Sequence, residues 1–567
     1  MRTRAVPESA HAALLAEGLD PVLARVYAAR GIQMATALGE ELDGLLAPDS
    51  LKGIDAAVDL LTQALFANEP ICVIADYDCD GATACAVAVR GLRMMGGRVD
   101  FLVPNRREHG YGLTPPIVEL ACAHARLGRP SMLLTVDNGI ASHAGISAAN
   151  VAGLKVLVTD HHLPADTLPA AAAIVNPNQP ACAFPSKNLA GVGVMFYLLI
   201  ALRARLRRQH PGGEAARAPL QTLLDLVALG TVADVVRLDE NNRRLVHAGL
   251  RRVRAGKACA GIRALFAQAG REPRRACASD FGFVVGPRVN AAGRLSDISL
   301  GIACLLTDDE TEAARLARDL DAINRERREI ETTMREQALD SIGEPAAEAV
   351  SIVVSDPGWH EGVIGLVAGQ VKNRFGRPAF AFAPSADRSG WRGSGRSVPG
   401  VHLRDTLDLV SKREPDLIER FGGHAMAAGL SLAGDGVARF SAALERALRE
   451  TVDPDCLQPE LVTDGMLDPG EVSLDLVDQI GRQVWGQGFP EPVFSFPFRV
   501  IGQRIVGERH LKLDLMAGTR RFDAIAFGRD HALPVEVTLA YRLTINDYRG
   551  LRSLQLVIEA SDEGRRL

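Results

Sequence analysis

The sequence predicts an α/β protein with a parallel sheet, a long connecting helix, a second α/β region and a C-terminal antiparallel barrel. From about residue 70, short apolar runs alternate with amphipathic stretches. A charged helical segment begins near residue 307, and after about residue 456 short alternating runs are separated by Gly and Asp. A chain of 567 residues has room for several domains, each with its own core.

The parallel sheet follows from the order of the first elements. Buried strands are predicted at 71–75, 99–103, 131–136 and 154–159, with helical spacing between them at 82–95, 115–126 and 141–150. This alternation is typical of a parallel sheet covered by helices on both faces. Ligands of such sheets bind beyond the carboxyl ends of the strands, so the polar clusters there are candidate site residues.

The later elements set the rest of the organisation. Further helices are predicted at 190–209 and 219–231, and a capping-box pattern at Thr307–Glu310 opens a helix of about 30 residues. A strand at 350–355 starts the second α/β region, and the short strands after 456 suggest a small barrel. The expected domains are an N-terminal helical segment (1–45), a catalytic domain (46–300), a connecting helix (301–345), a substrate-binding domain (346–455) and a barrel (456–567).

Composition restricts the class of protein. The net charge is −5 and only 5% of residues are aromatic, so a polyanion must be held by a local basic groove. No apolar run is long enough to cross a bilayer and no signal peptide is recognisable, so no membrane association is expected. The nine cysteines contain no C-x-x-C pair, which suits a reducing cytosol and predicts a cytoplasmic protein.

Acidic residues and histidines follow the predicted strands. Taken singly, an Asp after a strand is more often a helix N-cap or turn residue than a ligand. Together, so many carboxylates at one sheet end would repel one another without a cation between them. Oxygen ligands with one or two imidazoles favour Mn²⁺ or Mg²⁺, and the number of acids suggests two ions that clamp a phosphate. The clusters are Asp76-Tyr77-Asp78-Cys79-Asp80-Gly81, Asp137-Asn138-Gly139, Asp160-His161-His162 and Asp234.

These four clusters resemble the four motifs of the DHH phosphoesterase superfamily. The similarity extends through the segments 287–294, 393–397 and 421–429, and over nearly the whole chain it is to the bacterial single-strand-specific DNA exonucleases of that superfamily. The resemblance implies a DHH catalytic domain, a DHHA1-type second region and an OB-like barrel. It also implies 5′→3′ hydrolysis of single-stranded DNA to 5′-mononucleotides by two Mn²⁺ or Mg²⁺ ions, in recombination and repair.

The resemblance also assigns residues. By the family pattern, Asp137 would bridge the ions, with His161 a ligand and His162 beside it or facing the scissile phosphate; these three are the expected catalytic residues. The expected metal ligands are Asp76, Asp78, Asp80, Asp137, His161 and Asp234. The implied partners are single-stranded DNA with a 5′ end, a single-strand-binding protein and a helicase, and a monomer is expected.

Six residues are candidates for holding DNA. Arg106 follows the second predicted strand at the same sheet end as the acids, although a solvated turn explains it too. Arg288 and Asn290 are interpreted as a phosphate clamp in a Gly- and Asn-containing loop. Ser394 and Arg396 combine small neighbours with a guanidinium, which suits a 5′ phosphate. His424 is assigned to substrate on the resemblance.

Other functions remain open at this point. The same metal chemistry serves small substrates, as in a pyrophosphatase or a cyclic-dinucleotide phosphodiesterase, although such an enzyme would not need the barrel. A non-catalytic DNA-binding protein is a further alternative, opposed by the completeness of the acidic set. The chain has no G-x-G-x-x-G after the first strand and no G-x-x-x-x-G-K-[ST], which argues against a dehydrogenase or an ATPase.

Overall fold

The structure is a computed structural model that describes residues 1–104, 109–343, 346, 348–385, 389–457, 460–507, 509–548 and 551–562. It divides into two compact units. The first comprises Met1–Asn290, Ile298–Arg318 and Glu460–Leu567, and the second comprises Ala291–Asp297 and Asp319–Pro459.

The first unit is built on the predicted parallel sheet. Its elements up to the end of that sheet are β1 (Arg2–Thr3), α1 (Glu8–Ala16), α2 (Pro21–Ala28), α3 (Ile54–Phe66), β2 (Ile71–Ala75), α4 (Cys79–Met94), β3 (Val99–Leu102), α5 (Pro115–Cys122), β4 (Met132–Val136), α6 (His143–Val151), β5 (Lys155–Thr159) and β6 (Ala173–Val175). Short 3-10 helices lie at Ala35–Leu38, Leu42–Gly44 and Pro48–Ser50. The four predicted strands and the helices between them are confirmed.

The sheet has the strand order β3-β2-β4-β5-β6, and its neighbouring strands are all parallel. Strands β2 and β4 are buried along their whole length, as expected for a parallel sheet covered on both faces. Helices α5 and α6 pack with Cys72 and Ile74 in one hydrophobic cluster. Helix α4 packs against β2, β3 and β4 and also against the helices that follow the sheet.

A series of helices follows the sheet. They are α7 (Gly191–Gln209), α8 (Leu224–Ala233), α9 (Glu240–Arg254), α10 (Ala260–Gln268), α11 (Ala278–Asp280), α12 (Gly286–Leu295) and α13 (Ser299–Leu306). Short 3-10 helices lie at Ala215–Arg217, Leu220–Leu223 and Pro273–Arg275, and Phe281–Val285 is a π-helical turn. The loop expected around Arg288 and Asn290 is wrong, because both lie on α12, which continues the π-helical turn and whose two alanines favour helix.

The long predicted helix is confirmed as α14 (Glu310–Ile342), which begins in the first unit and ends in the second. The capping box starting at Thr307 is wrong. The Asp309 Oδ1 atom accepts the backbone N–H groups of Thr311 at 2.8 Å and Glu312 at 2.9 Å, while Thr307 accepts only the N–H of Asp309. An ionised carboxylate is a stronger acceptor than a hydroxyl at a helix N-terminus, so Asp309 is the cap.

The second unit is the second α/β region. After the end of α14 it contains β7 (Ile352–Ser355), α15 (Ile364–Phe375), β8 (Ala379–Pro384), β9 (Gly390–Arg396), α16 (Leu403–Arg413), β10 (Ile418–Gly423), β11 (Ala427–Ala433) and α17 (Gly436–Thr451), with a 3-10 helix at Pro454–Leu457. The strand order is β10-β11-β9-β8-β7, with β7 and β8 parallel and the other pairs antiparallel. Phe380, Phe382 and Phe440 stack edge-on and face-on at its core.

The predicted C-terminal barrel is confirmed within the first unit, but the expectation that it is antiparallel throughout is wrong. It is preceded by β12 (Val462–Thr463) and α18 (Leu474–Arg482) and is formed by β13 (Phe494–Val506), β14 (His510–Ala517), β15 (Arg520–Phe527), β16 (Glu536–Tyr548) and β17 (Leu551–Ser561). The barrel closes in the order β13-β14-β15-β17-β16, and β15 and β17 pair in parallel where it closes. Phe522 and Tyr541 are buried inside it, whereas Phe527 is 54% exposed.

The N-terminal segment is tied to the residues that precede the barrel. Strand β1 pairs with β12, and the buried Arg30 guanidinium makes two hydrogen bonds to the Asp464 carboxylate at 2.6 and 2.9 Å. Tyr27 stacks on Trp485 with ring centroids 5.9 Å apart. Among the residues that the structure describes, no helix is both long and apolar enough to span a membrane.

Candidate metal centre

The register of the first sheet places three aspartates in one row. Ala75 pairs with Val136, and Val136 pairs with Thr159. Asp76, Asp137 and Asp160 are the next residues of these strands. Since the strands are parallel, all three leave the sheet at its carboxyl edge.

The predicted ligands meet at this edge. Three sets of side chains have donor atoms within 4.8 Å of one another: Asp76, Asp78 and Asp137; Asp80, His161 and Asp234; and Asp137, His161 and His162. The His161 Nε2 atom lies 3.2 Å from Asp137 Oδ1 and 3.4 Å from Asp234 Oδ2. Asp137 belongs to two of the sets and His161 to two, which is the arrangement needed for neighbouring ions that share ligands.

The acidic motif after β2 is held by backbone amides. Asp78 is the N-cap of α4 and accepts the N–H of Gly81 at 2.9 Å, so the capping and metal interpretations of this residue coexist. Asp80 accepts the N–H groups of Gly191 at 2.6 Å and Val192 at 2.9 Å, at the N-terminus of α7. The positive end of a helix dipole stabilises a carboxylate in this place.

Asp137 has an unusual backbone conformation. Its φ is +62°, a left-handed region that Asp enters more readily than most residues. Its side chain packs against Gly191, where an added Cβ would lie 2.5 Å from Asp137 Oδ1. Close packing of the α7 N-terminus therefore fixes the Asp137 carboxylate as well as that of Asp80.

Asp160 orients the histidine pair. Its Oδ1 atom accepts the backbone N–H groups of His161 at 2.7 Å and His162 at 3.1 Å, and lies 2.7 Å from His162 Nδ1. Its Oδ2 atom accepts the N–H of Ile140 at 2.9 Å. The imidazole Nε2 of His162 is thereby directed away from Asp160, in the usual arrangement of a carboxylate behind a functional histidine.

Asp234 is supplied from the end of α8. It is the C-cap of that helix, and its carboxylate approaches His161. At Gly230, one turn earlier, an added Cβ would lie 2.1 Å from Thr83 Oγ1 and 2.8 Å from Asp80 Oδ1. Only a residue without a side chain allows α8 to come this close to the acidic motif.

Burial and mutual repulsion strain the ionised form of the cluster. Burial, with repulsion from Asp78, raises the pKa of Asp76 to about 8 and that of Asp80 to about 7. The same causes, with Asp80 first among the repelling charges, raise the pKa of Asp137 and of Asp234 well above the ordinary value. Divalent cations would relieve this repulsion.

The pKa values of His162 and Asp160 shift in the direction that favours their charged forms. Burial, the largest single cause, disfavours charge on His162, but the hydrogen bond to Asp160 and the attraction of Asp160, Asp76 and Asp234 together raise the pKa of His162 to about 9. Burial is likewise the largest single cause at Asp160 and opposes its ionisation, yet the hydrogen bond and charge of His162, the N–H of Ile140 and the charge of His161 together lower the pKa of that carboxyl.

The residues fit the expected ions. Asp137 Oδ1 and Asp234 Oδ2 are buried oxygens that accept no hydrogen bond from any residue the structure describes. Buried carboxylate oxygens are normally satisfied, so these two need a further partner. A set of carboxylates with one or two imidazoles suits Mn²⁺ or Mg²⁺.

Of the DNA-binding candidates of the first unit, Asn290 contacts this centre. Asn290 Oδ1 accepts the N–H of Cys79 at 2.8 Å and so braces the acidic motif. Arg288 is 7% exposed and donates to the Val284 carbonyl at 2.6 Å. Arg106 lies outside the described residues.

In the second unit, Ser394 and Arg396 lie together on β9. The Arg396 Nη1 atom donates to Ser394 Oγ at 3.1 Å. An added Cβ on Gly365 would lie 2.8 Å from Arg396 Nη2 and 2.9 Å from Ser394 Oγ, so both side chains sit at the first turn of α15. A guanidinium, a hydroxyl and a helix N-terminus are all groups that can bind an anion. His424 is exposed in the turn between β10 and β11, near the residue that pairs with Arg396.

Sequence reasoning missed the residues that pack around the ligands. Gly191 and Gly230 are needed because no Cβ fits beside Asp137 and Asp80. Asn138 is fully buried and donates to the carbonyls of Ile74 at 3.0 Å and Val136 at 2.9 Å, joining the ends of two strands. The signal for Gly191 was available as a glycine directly before a long apolar run, but nothing along the chain relates it to Asp80.

Family models match three parts of the chain. The DHH family, N-terminal domain, matches residues 70–231, the DHHA1 domain matches 349–450 and the RecJ OB domain matches 463–560. The parallel sheet with its acidic edge, the DHHA1 domain and the closed barrel define a metal-dependent hydrolase of the DHH superfamily.

Relatives and solved structures identify the family more closely. A curated protein of Escherichia coli (strain K12), named single-stranded-DNA-specific exonuclease RecJ, is 48% identical over 575 residues, which cover 99% of this chain and 98% of that protein. A protein of the same name from Bacillus subtilis (strain 168) is 30% identical over 521 residues, covering 90% of this chain and 64% of that protein. The crystal structure of RecJ in complex with Mn²⁺ from Thermus thermophilus has a TM-score of 0.82 and 31% identity, covering 100% of this chain and 80% of that one. The corresponding Mg²⁺ complex has a TM-score of 0.76 and 30% identity, covering 99% and 78%. The chain belongs to the RecJ family.

Proposed function

We propose that this protein hydrolyses single-stranded DNA from its 5′ end to 5′-mononucleotides, using two Mn²⁺ or Mg²⁺ ions, in recombination and repair. The observation that carries the proposal is the convergence of Asp76, Asp78, Asp80, Asp137, His161 and Asp234 at one sheet edge. Membership of a family whose curated members are named single-stranded-DNA-specific exonucleases supports the substrate.

We assign the ligands from the three sets of close donor atoms. One ion would be held by Asp76, Asp78 and Asp137, and the other by Asp80, His161 and Asp234, with Asp137 close enough to His161 to bridge them. Such ions supply Lewis acidity and neutralise the charge of the phosphodiester. The helix N-terminus at Gly191 and Val192 keeps Asp80 in position, so the ligands need little rearrangement on binding.

His162 is the proposed contact to the scissile phosphate. The hydrogen bond to Asp160 keeps its Nδ1 atom occupied and stabilises the protonated imidazole, whose pKa is about 9. With Nδ1 occupied by Asp160, Nε2 is the ring nitrogen left to donate a hydrogen bond to a phosphate oxygen when it carries a proton. Asp160 is a positioning residue in this scheme.

The 5′ phosphate would be recognised in the second unit. Arg396 can bind a phosphate through two N–H groups while the Ser394 hydroxyl donates another bond, at the first turn of α15. We assign His424, Arg288, Asn290 and Arg106 to the binding of the strand.

Partners and location complete the proposal. Degradation of a single strand fits action beside a helicase and a single-strand-binding protein, and the chain would work as a monomer in the cytoplasm, where bacterial DNA lies. The domain limits at residues 45, 300, 345 and 455 are proposed with it.

A nuclease assay tests the proposal. Single- and double-stranded substrates labelled at either end are incubated with the full chain and Mn²⁺ or Mg²⁺, with and without chelator. We expect mononucleotides only from single strands with a free 5′ end, and none with chelator. Release from a blocked 5′ end, or cleavage that survives chelation, would contradict it.

A further inference from the structure

An aromatic side chain is exposed on the π-helical turn that precedes α12. Phe283 is 78% exposed, more than the other exposed aromatics among the described residues, which are Phe66, Phe527 and Tyr111. In the same turn Phe281 is fully buried and meets Phe266 edge-on with ring centroids 6.2 Å apart. π-helical turns are rare and frequently lie at functional sites.

The turn packs against the end of α8, beside the metal centre. An added Cβ on Gly282 would lie 3.5 Å from Val232 Cγ1, and one on Gly286 would lie 3.1 Å from the Ala233 Cβ. Asp234 follows these residues directly. Phe283 is therefore presented to solvent next to the segment that supplies a proposed metal ligand.

A second exposed apolar residue follows Asp234 in the chain. Val235 is 63% exposed and has a φ of +61°, a conformation that a β-branched residue rarely adopts. Strained backbone persists where the surrounding structure holds it, and it concentrates at active sites and ligand clamps. Val235 thus follows Asp234 directly in the chain, and Phe283 lies on the turn that packs against Val232 and Ala233.

The residues that follow the turn make two further hydrogen bonds. Arg288 donates to the Val284 carbonyl at 2.6 Å, and Asn290 accepts the N–H of Cys79 in the acidic motif at 2.8 Å. The turn that carries Phe283 therefore packs against the end of α8, and the helix that continues it is hydrogen-bonded to the acidic motif. A rigid aromatic in this position can bind a planar group with little loss of side-chain entropy.

We propose that Phe283 is a stacking platform for one base of the single strand while the adjoining phosphate lies at the metal centre. This inference rests on the proposed function. Base–aromatic stacking tolerates any sequence, because every base has a π face, and so it suits an exonuclease that must advance through all sequences. A protein partner bound here would obstruct the substrate, which is why we assign the surface to a base.

Cleavage past an abasic residue tests the platform. Single strands with a 5′ phosphate carry one abasic position, moved stepwise from the 5′ end, and kcat/KM is measured for the wild type and for Phe283→Ala. On the intact strand we expect Phe283→Ala to lose about tenfold, the change that one lost base–aromatic stack produces. At one abasic position the kcat/KM of the wild type should fall by the same factor relative to the intact strand. The kcat/KM of Phe283→Ala should not fall further at that position.

Further variants separate stacking from folding and from general apolar contact. Phe283→Trp should retain wild-type rates, and Phe66→Ala, which removes an aromatic that is 59% exposed on α3, should leave kcat/KM unchanged. The platform would be overturned if Phe283→Ala lowered kcat/KM relative to wild type by the same factor at every abasic position. Full activity of Phe283→Leu would overturn it as well. If the wild type cleaved no single strand at all, the proposed function would fail instead. Quenching of 2-aminopurine fluorescence along the bound strand would then test the platform by itself. If the quenching did not depend on Phe283, the platform would be overturned.

Discussion

The Asp80 carboxylate accepts the backbone N–H of Gly191 at 2.6 Å, so that a proposed metal ligand is anchored on the N-terminus of a helix. The neighbouring N–H of Val192 binds the other oxygen at 2.9 Å. Gly191 also lies against Asp137, where a Cβ would come within 2.5 Å of the carboxylate. One glycine therefore sets the positions of ligands from two different motifs.

Gly191→Ala should disrupt the metal centre. The added methyl group has to displace Asp137 or the first turn of α7, at a cost of about 1–3 kcal/mol typical of overpacking. We expect at least a tenfold loss in Mn²⁺ affinity, measured by calorimetric titration. The matched control is Gly193→Ala in the same helix, where the Cβ would meet only the Leu189 side chain, its Cδ2 atom at 3.3 Å. An equal loss in both variants would mean that α7 as a whole, rather than Gly191, is responsible.

Asp137→Asn should abolish cleavage while single-strand binding is retained. Asn keeps the size of the side chain and tolerates the left-handed backbone at φ +62°, so the fold should survive. The variant lacks the charge that two of the three ligand sets need. We expect a fall of more than 1000-fold in cleavage rate with saturating Mn²⁺, with DNA affinity by anisotropy changed less than threefold. Retained cleavage would reject the bridging assignment.

Asp160→Asn should weaken the hydrogen bonding that orients His162 while the histidine itself stays in the chain. The amide cannot accept all four hydrogen bonds that Asp160 receives, and its NH₂ group faces donors. We expect a 10- to 100-fold fall in activity, the range found for partners behind functional groups. The pKa of His162, about 9 in the metal-free protein, should fall toward its ordinary value of 6.5 in an NMR titration. Asp166→Asn, an exposed change in the same loop, should alter neither.

The carboxyl edge of the first sheet could be predicted from sequence because two local signals suffice. Apolar runs identify the strands, and parallel strands place their following residues at a common edge, so Asp76, Asp137 and Asp160 had to meet. The chemistry of carboxylate and imidazole then leads to divalent cations.

The packing around that edge could not be predicted. Asp80 and Gly191 are distant in sequence, and only the fold brings a helix N-terminus to the carboxylate. The segment around Arg288 was interpreted as a loop from its glycines and Asn290, but the burial of Val289 and Ala292 favours a helix. Tertiary burial overrides local composition in such short segments. The capping-box pattern predicts a cap at Thr307, whereas the cap is Asp309, because sequence pattern alone does not show which side chain reaches the free N–H groups.

Metal-dependent stabilisation should increase with pH. A carboxyl whose pKa is higher in the folded than in the unfolded chain holds protons in the fold, so its ionisation destabilises the metal-free protein as pH rises. For Asp80 and Asp76 this window extends from about the ordinary value of 3.8 to about 7 and about 8. Divalent ions must displace those protons in order to bind. At pH values above the window no bound protons remain to compete with the ions. We expect the gain in Tm on adding Mn²⁺ to be several degrees larger at pH 8 than at pH 6. Equal gains at the two pH values would contradict the raised pKa values.

Arg396→Ala should impair substrates with a 5′ phosphate more than those with a 5′ hydroxyl. The guanidinium lies at the first turn of α15 with Ser394, a setting that binds a terminal phosphate dianion more strongly than an internal diester. We expect KM for the phosphorylated strand to rise at least tenfold and that for the hydroxyl strand to change less than threefold. Arg392→Ala on the same strand is the control, because Arg392 donates to Ser431 Oγ at 2.7 Å and lies two register positions from Ser394. Equal losses on both kinds of 5′ end would remove the terminal phosphate from this site and leave Arg396 a contact to the strand alone.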